Sequence, residues 1–333
     1  MTISIIIPVF NGAKTIRRCL NSIFRQKVAS GDIEVIVVND YSTDDTSEIL
    51  HGITPPHSHN LTIVDLPKNL RQGGARNAGI NIAKGDFIQF LDADDTLIEN
   101  SLASLIRAIQ ANPDLDILFF DAITKEESTF KQLAGMSFQS NHSNIISGEE
   151  YLLSQQVPWT PWMALYRRNF LYKNNLKFTE KVRFEDSDFV LESVLLAQRV
   201  QYVPLPVVCY MINGNSTTNI ENDATKIEER ILSAERLYNI VTKYSNIYPH
   251  GTNVIKGHYH YKFRAILQRN LWRLNYKTIL PLLNTYPYRL HPCNDMLIEF
   301  TMRHKKLYAA GAAIFGPLLK QAIHLRNIIR HRK

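Results

Sequence analysis

An α/β fold, with a mostly parallel twisted sheet flanked by helices, is predicted by three features of this 333-residue chain. Short apolar, β-branched runs alternate with helical patterns through roughly the first 120 residues. Those runs are apolar at nearly every position rather than at every second one, as expected of strands covered on both faces. Polar residues cluster just after the runs, at the strand ends beyond which sheets of this class bind ligands.

In order, Ile3–Val9 reads as a buried strand, followed by the turn Asn11-Gly12 and a helix over Lys14–Arg25. Glu34–Asn39 is the second strand and Asp44–Leu50 a short helix; Leu61–Leu66 is the third strand and Ala75–Ala83 the next helix. Phe87–Leu91 is a fourth strand, Ser101–Ala111 a helix and Ile117–Asp121 again strand-like. Residues 130–143 lack periodicity and read as a loop. Ser147-Gly148-Glu149-Glu150 then matches a capping box, with the serine placed to accept from the first helical turn. Arg167–Asn174 and Ser187–Gln198 read as helices and Val200–Tyr210 as short strands around Pro204 and Pro206. From about Asn222 the pattern is helical to the end, broken near five prolines from Pro249 to Pro317. Two domains are expected, residues 1–220 and 221–333.

Charge divides the chain at the same place. Glu221–Lys333 holds 19 Lys/Arg against 7 Asp/Glu, which leaves 19 against 24 in residues 1–220 and the net +7 of the whole. A basic second part calls for an anionic ligand or surface. The three cysteines, Cys19, Cys209 and Cys293, show neither disulfide nor zinc spacing, which fits a reducing compartment. The amino terminus does not read as a signal peptide, and the longest weakly polar run, Leu307–Leu319, falls short of the ~20 residues that span a bilayer. A cytoplasmic protein is expected, peripheral on the inner face of the membrane.

The candidate chemistry lies at the strand ends: Asn11 after the first strand, Asp40 after the second, and Asp92-Ala93-Asp94-Asp95 after the fourth. Acids at i and i+2 beyond a strand suit a hard cation such as Mn²⁺ or Mg²⁺, which takes one or two carboxylates plus phosphate oxygens and water. The plainer reading is that Asp94 or Asp95 caps a following helix. Asp40 is placed to accept from a base or ribose, while Asp44 and Asp45 fit Asx-turn chemistry. Gly73-Gly74-Ala75-Arg76-Asn77-Ala78-Gly79 opens a helix with small residues, and the Arg76 fork matches phosphate oxygens.

Taken in order, Pro8-Val9-Phe10-Asn11, Val38-Asn39-Asp40-Tyr41-Ser42-Thr43-Asp44, Gly74-Ala75-Arg76-Asn77-Ala78-Gly79 and Phe90-Leu91-Asp92-Ala93-Asp94-Asp95 resemble the inverting family-2 glycosyltransferases of the GT-A fold. The resemblance is strong over residues 2–120, looser over 160–218 and absent beyond about 222. It implies that Pro8 and Asp40 contact base and ribose, Asp92 the nucleoside and Asp94 the metal. It further implies a nucleotide-sugar donor, UDP first, and a glycan or lipid-linked glycan acceptor of bacterial surface polysaccharide. Asn39 and Tyr41 depart from the family, which often has Asp and Gly there. In Phe184-Glu185-Asp186-Ser187-Asp188-Phe189 the resemblance makes Asp186 the base for the acceptor hydroxyl, with Glu185 beside it. A helix start there would favour the ionised form; the bland alternative is ordinary helix-dipole compensation.

Tyr210–Thr217 resembles a later family segment near the donor phosphates, but no histidine lies between His142 and His250 to complete a metal site. Trp159, Trp162 and Tyr166 suit either stacking on acceptor sugars or core packing. Residues 303–333 carry eight Lys/Arg, three His and no acid, interleaved with apolar residues, and are read as a helix lying on an anionic membrane surface. Nucleic acid is not the expected partner. Two other classes remain open: a sugar-phosphate nucleotidyltransferase, whose glycine-rich loop is poorly matched by Phe10–Lys14, and a non-catalytic binding protein for nucleic acid or glycan.

Overall fold

The computed structural model describes residues 1–269 other than 30, 57–59, 137–143, 155–156 and 213–223, together with 304 and 306. Its strands are β1 Ile3–Val9, β2 Ile33–Asn39, β3 Asn60–Asp65, β4 Phe87–Phe90, β5 Thr96–Leu97, β6 Ile117–Glu126, β7 Gln132–Met136, β8 Ala164–Arg167 and β9 Val200–Ile212. The helices are α1 Ile16–Phe24, α2 Thr46–His51, α3 Arg71–Ile82, α4 Ser101–Ala111, α5 Gly148–Leu153, α6 Arg168–Lys173, α7 Asp186–Leu196, α8 Ala224–Tyr244 and α9 Pro249–Arg269.

The strands join one sheet in the order β3-β2-β1-β4-β8-β6-β9-β5, with β7 added to β6. β1 is central to a parallel half, pairing Ile3 with Ile33 on one side and with Phe87 on the other. Every residue of β1 and all but Glu34 of β2 are buried, which accounts for their largely apolar sequence. Beyond β4 the sheet is mixed: β8 runs antiparallel to β4 and β6, β9 parallel to β6, and β5 antiparallel to β9. The parallel half puts the ends of β1, β2 and β4 on one edge. This is the α/β arrangement expected.

The unit built on this sheet comprises Met1–Asn219 with Tyr248–Gly251. The described part of the remaining chain is α8 and most of α9. Segment 303–333 lies outside the described residues except for His304 and Lys306, and so does 213–217 of the late family segment. No helix among the described residues is long and apolar enough to cross a membrane.

Several expectations need correction. Part of the anticipated loop 130–143 is strand β7, an exposed hairpin partner of β6 whose two-sided exposure removes the alternation that would have marked it. Val200–Tyr210 belongs to one continuous strand, β9. Pro206, with no N–H to donate, sits opposite Asp121 where the register shifts, so it is absorbed rather than ending the strand. β8 is only four residues and gave no periodic signal. The capping box at α5 forms in both directions: the Glu150 N–H donates to Ser147 Oγ and the Ser147 N–H to Glu150 Oε2.

Candidate active site

The ends of β1, β2 and β4 are tied to one another. Asn11, at φ 52°, accepts the Thr43 N–H on its side-chain oxygen at 2.8 Å, and its own N–H donates to Ser42 Oγ. A Cβ on Gly12 would lie 3.9 Å from that of Ala93, so the β1 turn abuts the Asp92–Asp95 turn. Pro8 is buried within β1. Asp44 makes the expected Asx turn, accepting the Thr46 N–H at 3.1 Å.

The two departures at β2 are structurally answered. Asn39 donates to Asp65 at 2.6 Å, so a carboxylate from the end of β3 stands beside the amide. Tyr41 takes φ 64°, the backbone conformation a glycine would adopt there, with its ring exposed to solvent. Asp40 is buried, and its Oδ1 accepts the Leu70 N–H at 2.6 Å. Burial raises its carboxyl above the usual range, opposed by the backbone N–H groups of Leu70 and Arg71.

Those bonds change the reading of the glycine-rich helix start. The Leu70 N–H goes to Asp40 and the Arg71 N–H to the Asn69 side chain, so the first donors of α3 are occupied by protein. Its glycines serve close packing. A Cβ on Gly79 would stand 2.4 Å from Ile6 of β1, and one on Gly73 2.4 Å from the Thr179 carbonyl. Arg76 is corrected as well. It is fully buried, and its fork is taken by carboxylates rather than open to phosphate: Nη2 donates to Asp92 at 3.0 Å, Nη1 to Glu185 at 2.9 Å and to Asp186 at 2.6 Å. Burial works against its charge, but the three acids outweigh that and hold it protonated.

Asp186 begins α7, as expected, and Glu185 precedes it. Their ionisation does not follow the helix dipole alone. Burial, then the Asp186 charge, pushes Glu185 up to about 7 against the pull of Arg76. Asp186 is likewise raised by burial, with Arg76 opposing and Asp92 adding to the shift. One buried cation does not offset burial and mutual repulsion for both α7 acids.

The segment before α7 is docked on α3 by Asn77, which sequence reading had not singled out for this role. Its amide donates to the Phe178 carbonyl and accepts the Phe178 N–H, both at 2.9 Å. Phe178 in turn stacks on Phe189 of α7 at 3.8 Å. Asn77 lies within the quoted glycine-rich motif, which was the one available signal.

In the Asp92–Asp95 turn, burial and then the Asp92 charge raise the Asp94 carboxyl to about 6. Arg18 of α1, which had no sequence signal, donates to the Asp94 carbonyl at 2.9 Å and to Glu127 at 2.8 Å. Asp95 does not cap a helix: it is buried and accepts the Met211 N–H of β9 at 2.8 Å, pinning the turn to the far part of the sheet. No group of three or more His, Cys, Asp or Glu side chains among the described residues forms a ready cation cage. The residues present fit a cation shared with a ligand, because a partly buried acid destabilised by a neighbouring acid gains from positive charge. Trp162 and Tyr166 are core residues, Trp162 stacking on Tyr210 at 5.8 Å, whereas Trp159 is partly exposed.

Residues 4–174 match the family model described as Glycosyl transferase family 2. The chain belongs to glycosyl transferase family 2. Among its relatives, the uncharacterized glycosyltransferase YibD of Escherichia coli is 28% identical over 67% of this chain and 65% of its own length. The uncharacterized glycosyltransferase EpsJ of Bacillus subtilis is 30% identical over 66% of this chain. The match spans 63% of EpsJ, so a good part of each relative lies outside it. A crystal structure of S. aureus TarS 1–349 in complex with UDP-GlcNAc superposes with a TM-score of 0.69 at 20% identity, covering 95% of this chain and 89% of that one. That likeness bears on the fold: the sheet described above is the GT-A sheet expected of this family.

Proposed function

We propose that this family-2 chain is an inverting glycosyltransferase that moves a sugar from a nucleotide diphosphate donor, UDP-sugar first, to a hydroxyl of a glycan or lipid-linked glycan of bacterial surface polysaccharide. The observation that carries the reading is the array around Arg76, which joins Asp92 at the donor end of β4 to Asp186 at the start of α7. TarS, its fold neighbour, is described with UDP-GlcNAc, and this supports a uridine donor here.

In this reading Pro8, Asn11, Asp40 and Asp92 seat the nucleoside, and Asp94 holds Mn²⁺ or Mg²⁺. The cation, when bound, offsets negative charge on the diphosphate. Asp186 removes the acceptor hydroxyl proton as that oxygen bonds to the anomeric carbon, from the face opposite the diphosphate. The bond from that carbon to the diphosphate oxygen breaks, and nucleoside diphosphate leaves with the electron pair. Glu185, sharing Arg76 with Asp186, modulates the charge on the base. The basic segment 303–333 is proposed to meet an anionic membrane surface, which would keep the protein peripheral on the inner face of the membrane.

The test is a screen of nucleotide sugars for release of nucleoside diphosphate with Mn²⁺ or Mg²⁺ and with chelator. Metal-dependent UDP release supports the reading. Pyrophosphate release would point to a nucleotidyltransferase, and no turnover with any donor would refute the enzyme.

A further inference from the structure

Arg76 is fully buried, yet three carboxylates from two distant parts of the chain converge on two of its nitrogens. We propose that Arg76 is a positioning residue for the transfer step, one cation that holds Asp186, Glu185 and the donor-side Asp92 in a single array. The inference rests on the reading of Asp186 as base.

Stability alone gives a weak reason for such a cluster. Taking several ionised groups out of water costs most of what their attraction returns, and well-packed apolar side chains commonly do as well. The geometry is selective instead. Nη1 reaches both acids of the α7 start, at 2.9 and 2.6 Å, while Nη2 reaches Asp92 at 3.0 Å. A lysine carries the same charge on one nitrogen, without a planar fork to span the set. The side chain is itself fixed, with the Phe178 ring 5.1 Å from its guanidinium carbon and Gly73 one turn away admitting the acid-bearing segment.

Among the described residues, several charged or titratable groups face the two α7 acids. Arg76 faces them from α3, Asp92 from the turn after β4, Tyr166 from β8 and Asp188 from α7 itself. Glu180, in the preceding segment, is engaged by Asn77 at 3.1 Å. Arg76 is thus a cation placed between Asp92 and the two acids of the α7 start.

The test follows UDP release from whichever of UDP-GlcNAc, UDP-glucose and UDP-galactose turns over fastest, with Mn²⁺, as a function of pH. For Arg76→Lys, kcat is expected to fall about 100-fold, as for a reacting group misplaced by ~1 Å. The acidic limb of the kcat profile should move up by about one pH unit, because a single ammonium cannot span all three acids and pairs less closely with the base. A lower melting temperature with the limb unmoved would mean a structural role only and would overturn the proposal. Should Arg76→Lys fail to fold, Glu185→Gln gives the complementary reading. It removes a competing carboxylate while leaving Arg76, so the limb should move down by about one unit, and an unmoved limb again overturns the proposal. Asp186→Asn separates the two levels. If it retains turnover, the base reading falls; if it is inactive while the other limbs stay in place, only the role of Arg76 falls.

Discussion

Replacing Gly73 by alanine tests whether α3 sets the position of the acids on α7. The added Cβ would lie 2.4 Å from the Thr179 carbonyl oxygen, 3.2 Å from Phe178 Cβ and 3.3 Å from Glu185 Cγ. Ordinary contact needs roughly 3.5 Å, so the 178–185 segment must retreat by about 1 Å. That segment is pinned by the Asn77 amide and by the Phe178–Phe189 stack, so the displacement reaches the start of α7. Overpacking of this kind costs about 1–3 kcal/mol, offset in part by the ~1 kcal/mol that alanine gains over glycine in a helix. Stability should therefore fall by about 0–2 kcal/mol, whereas a ~1 Å error at the base lowers kcat on the order of 100-fold. Initial rates of nucleoside diphosphate release, with donor affinity by calorimetry, separate the two effects. Gly135→Ala, with nothing within 4 Å of the new Cβ, is the control and should leave kcat unchanged. A folded Gly73→Ala enzyme with wild-type kcat would refute the reasoning.

Asn77→Ala leaves the Phe178 N–H and carbonyl without their partners, and denaturant unfolding should register a loss of about 2–4 kcal/mol. Glu185→Gln should alter the pH dependence of stability in a defined direction. Its folded pKa, about 7, lies above the ordinary 4.5, so its stabilising contribution is present below 4.5 and lost as pH rises through 7. The variant should be flatter than wild type across that window by up to about 3 kcal/mol, measured by unfolding at each pH. Asp94→Ala should weaken UDP binding in the presence of Mn²⁺ and leave metal-free UDP binding unchanged by calorimetry. The same loss should emerge in wild type at acidic pH, because burial and the Asp92 charge favour the protonated Asp94 carboxyl and the proton competes with the cation.

The parallel half of the sheet was legible because β1 and nearly all of β2 are buried on both faces, and Ile3–Val9 and Ile33–Asn39 are apolar at most positions. That the residues after β1, β2 and β4 lie together, Asp40 and Asp92 among them, was legible because a parallel sheet sends those ends to one edge. What Arg76 and Asp95 do was not legible. Their partners, Glu185, Asp186 and Met211, are over 100 residues away, and only the folded sheet brings them within hydrogen-bonding distance. Local pattern showed that the small residues of α3 allow close approach but not what approaches: Gly73 and Gly79 admit the acid-bearing segment and β1. In the mixed half the core of β6 and most of β9 were legible, whereas β5 and β8 were hidden because they are two and four residues long, too short for periodicity. Tyr41 is the reverse case: an unexpected residue type keeps the backbone turn that glycine would provide.

The most direct measurement compares Asp186→Asn with wild type in two assays, UDP binding with Mn²⁺ by calorimetry and sugar transfer from the best UDP-sugar. The account predicts donor-side affinity within about threefold of wild type, because it places Asp186 on the acceptor side, and transfer lowered by about 10²–10⁴-fold, the usual range for loss of a general base. Transfer at the wild-type rate by the folded variant would contradict it.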